Sequence, residues 1–148
     1  MSSVVTVAVA RLLMAPILVV AIAVLVKGYA DVGDGFSAGV IAALGIVLQY
    51  FALGREEAER LLALRLIGPA AFVALLGALL VALLPVARGA ALLEHAPAPG
   101  ADVTELGTIE LITAFAFDVT IFVLVVAAVV GILRAVAHVA EGEGEVGR

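Results

Sequence analysis

Four long runs of apolar residues, separated by short polar segments, dominate the chain. They cover about residues 4–26, 36–54, 66–86 and 107–135. Each run approaches or exceeds the roughly 20 residues that a helix needs to cross the hydrocarbon core of a bilayer. Apolar and polar residues do not alternate, and a bilayer tolerates only helices or closed barrels. The pattern therefore predicts an all-α integral membrane protein with four transmembrane helices.

The polar segments between the runs differ in character. The segment Gly28–Gly39 is predicted to form a glycine-rich loop between the first two helices. Opposite charges four residues apart, as in Arg55 and Glu59, predict a helical extension over residues 55–65. Residues 141–148 form a Gly/Glu tail that we expect to be flexible, so residues 1–140 are expected to form one membrane domain. The first run is too long for the apolar region of a signal peptide and lacks a basic start, so it is expected to be retained.

The arginines are distributed unevenly between the two sides of the predicted bundle. Four helices place both termini and the second connection on one side of the membrane. Five arginines lie on that side, against one lysine and one arginine on the other: Arg55, Arg60, Arg65, Arg134 and Arg148, against Lys27 and Arg88. The positive-inside rule then predicts that both termini are cytoplasmic.

Composition narrows the class of protein further. Of the 148 residues, 65% are hydrophobic and only 14% are charged, which is too few charges for the surface of a soluble domain. The absence of cysteine excludes disulfides and thiolate metal sites. No basic stripe is available for nucleic acid. No cluster of metal ligands, cofactor motif or nucleophile–base pair is present, so an enzyme, a metal site and a cofactor are not expected.

The glycine-rich segment has two interpretations. Gly35 and Gly39 are four residues apart, so at the start of a helix they would present one small face. One interpretation is a tight turn followed by a close helix–helix contact, with Gly33 among the residues that shape the interface. The other is a re-entrant or cavity-lining backbone, which is tolerated at membrane depth only inside protein. Phe36 belongs to the same candidate interface, and Asp34 is a candidate for attracting cations.

Asp118 is the strongest candidate for chemistry, because it is predicted to lie about eleven or twelve residues into the last helix, near the middle of the bilayer. An acid within a transmembrane segment costs roughly 2.5–3.5 kcal/mol to insert and is functional by default. The alternative is a buried aspartate held by a group on a neighbouring subunit. Glu110 lies eight residues earlier, near the outer interface, and is a second candidate for an ion path.

Arg11 and Pro16 interrupt the first apolar run. Arg11 could extend its side chain to the headgroups or pair with an acid on an adjacent helix or subunit. Pro16 removes one backbone hydrogen bond and is expected to kink the helix. Both are candidates for shaping an interface. His95 and His138 are expected to be solvated side chains in a loop and near the tail.

These segments resemble the B-subunit (MnhB/MrpB) family of Mrp-type Na⁺/H⁺ antiporters. The resemblance covers about residues 8–135 and includes the last-helix motif Phe117-Asp118 with the following VLVVAAVVGIL. The other matching positions lie in the first two helices and the segment between them: Arg11, Leu12, Leu13, Pro16, Gly28, Gly33, Gly35, Phe36, Gly39, Val40, Leu48, Tyr50, Ala52 and Gly54. The chain departs from the family pattern at four positions: Tyr29 replaces a His, Val32 a Pro, and Asp34 and Ala38 each a Gly.

The resemblance implies a small, non-catalytic subunit of a bacterial or archaeal plasma-membrane complex that exchanges Na⁺ for H⁺ in pH and sodium homeostasis. Its implied partners are the other Mrp-type subunits, including large antiporter-like subunits with the main proton channels. Two alternatives stay open at this point. One is an ion-module subunit of a membrane-bound hydrogenase or a related complex-I-like redox complex. The other is a purely structural membrane scaffold.

Overall fold

Helices make up nearly all of the described chain. The computed structural model describes residues 4–28, 33–61, 66–87, 89, 91 and 107–146. The helices in chain order are α1 (Val4–Lys27), α2 (Asp34–Leu53), α3 (Arg55–Leu61), α4 (Ile67–Ala87) and α5 (Gly107–Val146). Helices α1, α2, α4 and the 114–138 part of α5 are long and apolar enough to cross a membrane. The prediction of an all-α protein with four such helices is confirmed.

Several boundaries differ from the predicted ones. Helix α2 begins at Asp34, so the end of the predicted glycine loop is helical, while residues 29–32 lie outside the described residues. Helix α5 continues to Val146, through most of the segment expected to be a tail. Continuing a helix costs far less than nucleating one, so the stable apolar part can extend into a polar end. The flexibility of residues 141–148 stays a prediction.

Gly54 separates α2 from α3. Its φ of 80° favours glycine, its N–H donates to the Tyr50 carbonyl at 3.1 Å, and its own carbonyl accepts from Ala58 N–H at 3.1 Å. The last turn of α2 and the first turn of α3 are therefore both bonded to this residue. The predicted helical extension over residues 55–65 is thus a separate helix over Arg55–Leu61, and residues 62–65 lie outside the described residues.

The four long helices lie in the order α1, α2, α5, α4. Helix α2 packs on α1 and α5, whereas α4 packs mainly on α5. Half of the α2 span is buried, against about a tenth of each other span (50% and 11%). Helix α2 is therefore the centre of the packing. Most large apolar side chains of α1 and α4 face outward, as expected for lipid or partner contact.

Close contacts define how α2 lies between its neighbours. Gly45 of α2 packs against Ile17 of α1, and the buried Gln49 side-chain amide donates to the Ala10 carbonyl at 2.6 Å. This hydrogen bond satisfies a polar group that is costly to bury alone. Helices α2 and α5 run parallel, with the start of α2 beside Asp118. We call that end of the molecule the Asp34 end and the opposite end the α3 end.

Candidate functional site

Asp118 lies at the Asp34 end and is almost completely enclosed by the chain. Its residue exposure is 3%, and its Oδ2 accepts a hydrogen bond from the Gly33 N–H at 3.2 Å. Gly33 immediately precedes α2 and has a φ of 119°. Gly33 has no side chain that could cap α2. The Asp118 carboxylate of α5 therefore accepts the hydrogen bond from the free N–H at this helix start. Asp118 therefore faces protein within this chain.

Two glycines allow Asp118 to approach so closely. A Cβ atom on Gly28, at the end of α1, would lie 3.0 Å from Asp118 Oδ2. A Cβ on Gly35 would lie only 2.3 Å from the Asp118 carbonyl oxygen and 2.8 Å from its Cα. The second contact is with backbone, which cannot rotate away. The α2–α5 contact at this level therefore requires glycine at position 35.

The charges around Asp118 are of both signs. The start of α2 carries the positive end of the helix dipole, which favours a carboxylate there. Asp34 also lies close to Gly28, since a Cβ on Gly28 would be 3.2 Å from the Asp34 Cβ. Lys27 Nζ pairs with Asp34 Oδ2 at 3.3 Å. One enclosed and one partly exposed carboxylate thus share this end, and both are groups that can bind a proton or a monovalent cation.

The level of Asp118 differs between α5 and α2. It lies eleven residues after the start of α5, as predicted, but level with the first turn of α2; its depth in the membrane stays a prediction. Arg134, at the α3 end, is 16 residues or about 24 Å further along α5. The difference arises because α5 starts at Gly107, about three turns before the level at which α2 begins. Counting residues from the start of an apolar run does not reveal this offset.

The glycine face of α2 makes a close helix–helix contact, the first of its two interpretations. A Cβ on Gly39 would lie 2.9 Å from Val125 Cβ and 3.0 Å from the Phe122 carbonyl oxygen. Gly35 and Gly39 therefore pack on α5 within a regular helix, and not in a re-entrant backbone. Phe36 points away from this contact and is 60% exposed.

The remaining candidates lie apart from Asp118. Glu110 lies in the α5 backbone, and its side chain is outside the described residues. Arg11 forms an ion pair with Glu57 of α3, which is the pairing alternative for this arginine. Pro16 lies inside α1. Among the described side chains, no group of three or more His, Asp or Glu residues could hold a metal ion.

A second polar cluster, at the α3 end, was not predicted as a unit. Glu59 Oε1 accepts from Arg55 Nε and from Arg134 Nε, each at 3.2 Å. Arg55 Nη2 also contacts His138 Nε2 at 2.7 Å, and His138 is exposed, as expected. The Tyr50 hydroxyl is also buried here, beside Glu59. A shared spacing could have signalled this cluster, since Arg134 and His138 are four residues apart, as are Arg55 and Glu59.

The charge of Glu59 is stabilised by this cluster. Burial alone would raise the pKa of Glu59, but the Arg55 hydrogen bond and the positive charges of Arg134 and Arg55 outweigh it. The pKa of this carboxyl therefore lies below its usual value. Glu59 is an anion that pairs with Arg55 within α3 and joins α3 to α5 through Arg134.

Comparisons with known proteins bear on the function of the Asp118 site and of the Glu59 cluster. Residues 5–131 match the family model described as a domain related to the MnhB subunit of Na⁺/H⁺ antiporter. Comparison with curated proteins and with solved structures gave no match. The matched region contains Asp118, the glycine face of α2, and the Arg55 and Glu59 members of the second cluster. Since the match covers most of the sequence, the chain belongs to the MnhB family of Mrp-type Na⁺/H⁺ antiporter subunits.

Proposed function

We propose that this chain is a non-catalytic subunit of an Mrp-type Na⁺/H⁺ antiporter and that Asp118 contributes to an ion path at its interface with a larger subunit. The observation that carries the proposal is the burial of the Asp118 carboxylate, with a described hydrogen bond from one backbone N–H. A carboxylate can accept about four hydrogen bonds. Asp118 therefore keeps capacity for a proton, a cation or a partner's donor.

Partners are needed because the chain alone encloses little. Three of its four spans are only about 11% buried. Helices α1 and α4 lie at opposite ends of the row, so the chain by itself does not surround a hydrated path. We therefore propose that large antiporter-like subunits cover these helices and carry the main proton channels. The complex exchanges Na⁺ for H⁺ across the plasma membrane and supports pH and sodium homeostasis, with both termini of this chain in the cytoplasm.

Asp34 and Glu110 are the secondary ion-path candidates. Asp34 is 26% exposed and is paired with Lys27, so it is placed to attract cations from the membrane surface toward Asp118. Glu110 precedes Asp118 by eight residues in the same helix. Gly33, Gly35 and Gly39 shape the interface. In this proposal Asp118 is the essential group and the other two acids assist it.

The test is exchange activity of the assembled complex in membrane vesicles, measured as Na⁺-dependent dissipation of a proton gradient. Asp118→Asn keeps the shape of the side chain and removes its charge. We expect exchange to fall strongly while co-purification of the subunits stays normal. Asp118→Glu keeps a titratable carboxylate and is expected to retain part of the activity. Glu56→Gln removes an exposed carboxylate from α3 and serves as the matched control.

One observation favours a second candidate, in which Asp118 is only structural. Its carboxylate caps the start of α2 from a different helix. Asparagine also offers an oxygen acceptor to the Gly33 N–H, whereas leucine does not. A structural Asp118 therefore predicts near-normal exchange with Asp118→Asn and failed assembly with Asp118→Leu. That result would replace the ion-path proposal with a scaffold.

A further inference from the structure

The length of α4 marks the two boundaries of the hydrocarbon core. Its 21 residues, Ile67–Ala87, include no charged side chain, and at about 1.5 Å per residue they span roughly 31 Å. The hydrocarbon core of a bilayer is itself roughly 30 Å thick. Most of the large apolar side chains of α4 are exposed, so the helix is most stable with its whole length in hydrocarbon. Ile67 and Ala87 therefore lie close to the two boundaries.

Two contacts fix the level of α4 relative to α5. Ile67 packs against the cluster that contains Val130. A Cβ on Gly77 would lie 3.0 Å from Thr120 Cγ2. Ten residues separate the two positions on each helix, so α4 and α5 run antiparallel and in step. The level of a residue of α4 can therefore be given as a position along α5.

Helices α1 and α2 stop short of the boundary at Ala87. The register of α4 against α5 places Ala87 level with about residue 110 of α5. The end of α1 and the start of α2 are level with Asp118, because Gly28 and Gly35 both lie against that residue. The interval of about eight residues corresponds to roughly 12 Å along α5. The α1–α2 end of the molecule is therefore recessed below the boundary that α4 reaches.

The charges along α1 indicate the same shortfall. Arg11 pairs with Glu57 at the α3 end, and Lys27 pairs with Asp34 at the other end. Arg11 and Lys27 are 16 residues apart, which is about 24 Å along the helix and less than the roughly 30 Å of the hydrocarbon core. The Lys27–Asp34 pair therefore lies at a level within the core.

The groups at this level are not suited to contact with lipid. The Lys27 side chain is 65% exposed and the Asp34 side chain is 26% exposed. The first turn of α2 also carries backbone N–H groups that the helix itself cannot bond. Charged groups and free backbone groups are tolerated at membrane depth only inside protein or against water. The surface that Lys27 and Asp34 expose is therefore one that requires water.

We infer that the Lys27–Asp34 pair forms the floor of a water-filled recess, which opens to the outer side in the proposed topology and through which ions reach Asp118. Asp34 Cβ lies 3.2 Å and Asp118 Oδ2 lies 3.0 Å from the position of a Cβ on Gly28. These two atoms are therefore at most about 6 Å apart, the sum of the two distances. The use of the recess by ions rests on the proposed function of Asp118, whereas the recess itself does not.

Packed apolar groups separate Asp118 from the α3 end. Next along the contact between α2 and α5, Gly39 lies against Val125. The buried cluster of Ile46, Tyr50 and Val130 follows. Close packing at these levels excludes water. Asp118 therefore exchanges ions with the recess and not with the α3 end.

Reaction of introduced cysteines with a charged thiol reagent tests the recess, because the chain itself contains no cysteine. Lys27→Cys places a thiol at the floor of the recess. Leu80→Cys places one at the same level on α4, since Leu80 is level with about residue 117 of α5. Both positions are exposed. In the assembled complex in right-side-out vesicles, a quaternary-ammonium methanethiosulfonate should modify position 27 at least about tenfold faster than position 80, because the reactive thiolate forms readily only in water.

Three results would each overturn the recess: equal rates at positions 27 and 80, no reaction at position 27, or faster reaction at position 27 in inside-out vesicles. Equal rates would mean that the end of α4 stands in water beside the end of α1. No reaction would mean that lipid or another subunit covers the Lys27–Asp34 pair. Faster reaction in inside-out vesicles would place the opening on the other side.

A second measurement tests whether ions use the recess. A bulky polyethylene-glycol maleimide is attached to position 27, and Na⁺/H⁺ exchange by the complex is compared before and after labelling. We expect most of the exchange to be lost, whereas the same label at exposed position 56 of α3 should leave most of it. If Lys27→Cys itself abolishes exchange, Ser37→Cys, exposed in the first turn of α2, takes its place.

Unchanged exchange after labelling at the recess, or an equal loss at position 56, would remove the recess from the ion route. The proposed function is tested separately, by the loss of exchange with Asp118→Asn. The labelling rates do not depend on transport, so the recess and the role of Asp118 can each fail alone.

Discussion

The closest contact between α2 and α5 allows the strongest quantitative prediction, for Gly35→Ala. The new Cβ would lie 2.3 Å from the Asp118 carbonyl oxygen. Carbon and oxygen atoms in ordinary contact are about 3.5 Å apart, so the two helices must separate by about 1 Å. The obstacle is backbone in a continuous helix, so a change of side-chain rotamer cannot relieve it. The substitution therefore disturbs the whole α2–α5 packing.

The expected loss has two parts. Overfilling a packed interface costs roughly 1–3 kcal/mol. The same shift lengthens the 3.2 Å hydrogen bond from Gly33 to Asp118 past useful range and leaves a buried carboxylate unserved, at about 1.5–3 kcal/mol. We expect Gly35→Ala to lower the free energy of unfolding by roughly 2.5–6 kcal/mol.

Unfolding in mixed micelles of mild detergent and SDS, followed by labelling of a cysteine at buried position 127, measures this quantity. Gly131→Ala is the matched control, because its added Cβ meets no atom within 4 Å. It should change stability by less than about 1 kcal/mol. Gly39→Ala should fall between the two, since its nearest contact is a side-chain carbon at 2.9 Å. Equal stability of the Gly35 and Gly131 variants would refute the packing argument.

Three further predictions concern the charges, the buried amide and the orientation. Because the pKa of Glu59 is lowered, its stabilising effect is present above its unfolded value of about 4.5 and is lost as pH falls below that. The unmodified chain should exceed Glu59→Gln in stability by about 1 kcal/mol near pH 7, with the two converging in acid, as followed by denaturation at several pH values. Gln49→Leu should cost about 0.5–1.5 kcal/mol in the same micelle assay, the usual range for a hydrogen bond between membrane helices; a larger loss would indicate a wider role. Cysteines at positions 56 and 95 should react with an impermeant reagent from the cytoplasmic and outer side respectively, and labelling of both from one side would contradict the four-span topology.

The helices were predictable from sequence because membrane crossing is a local property. Runs of about 20 apolar residues must form helices in lipid, wherever their neighbours lie. The separation of α3 from α2 was less accessible, since Gly54 also fits a helix interior when flanked by apolar residues. Its positive φ reflects the contacts that α3 makes with α1 and α5. Local sequence does not contain those contacts.

The candidate site was predictable in its residues but not in its assembly. The glycine spacing at 35 and 39 indicated a small face, and Asp118 stood out as an acid in an apolar run. Neither pattern predicts that Gly35 and Asp118 are in contact, because 83 residues separate them in the sequence. The Glu59 cluster has the same origin, joining positions 75 and 83 residues apart. The axial offset between helices, and which helices pack together, depend on tertiary contacts that local sequence does not reveal.

The hydrogen bond from Gly33 to Asp118 can form only late in the synthesis of the chain. Its two residues are 85 positions apart, and ribosomes add about 5–20 residues per second, so the acceptor is made roughly 4–17 s after the donor. During that interval α1 and α2 can pair as a hairpin, while the glycine face of α2 is open to lipid tails. Insertion of α5 must then displace that lipid and supply the missing carboxylate. Helix α5, which is synthesised after α2, is thus the helix that completes the packing of α2, and a nascent chain stopped before residue 118 keeps a helix start without its acceptor.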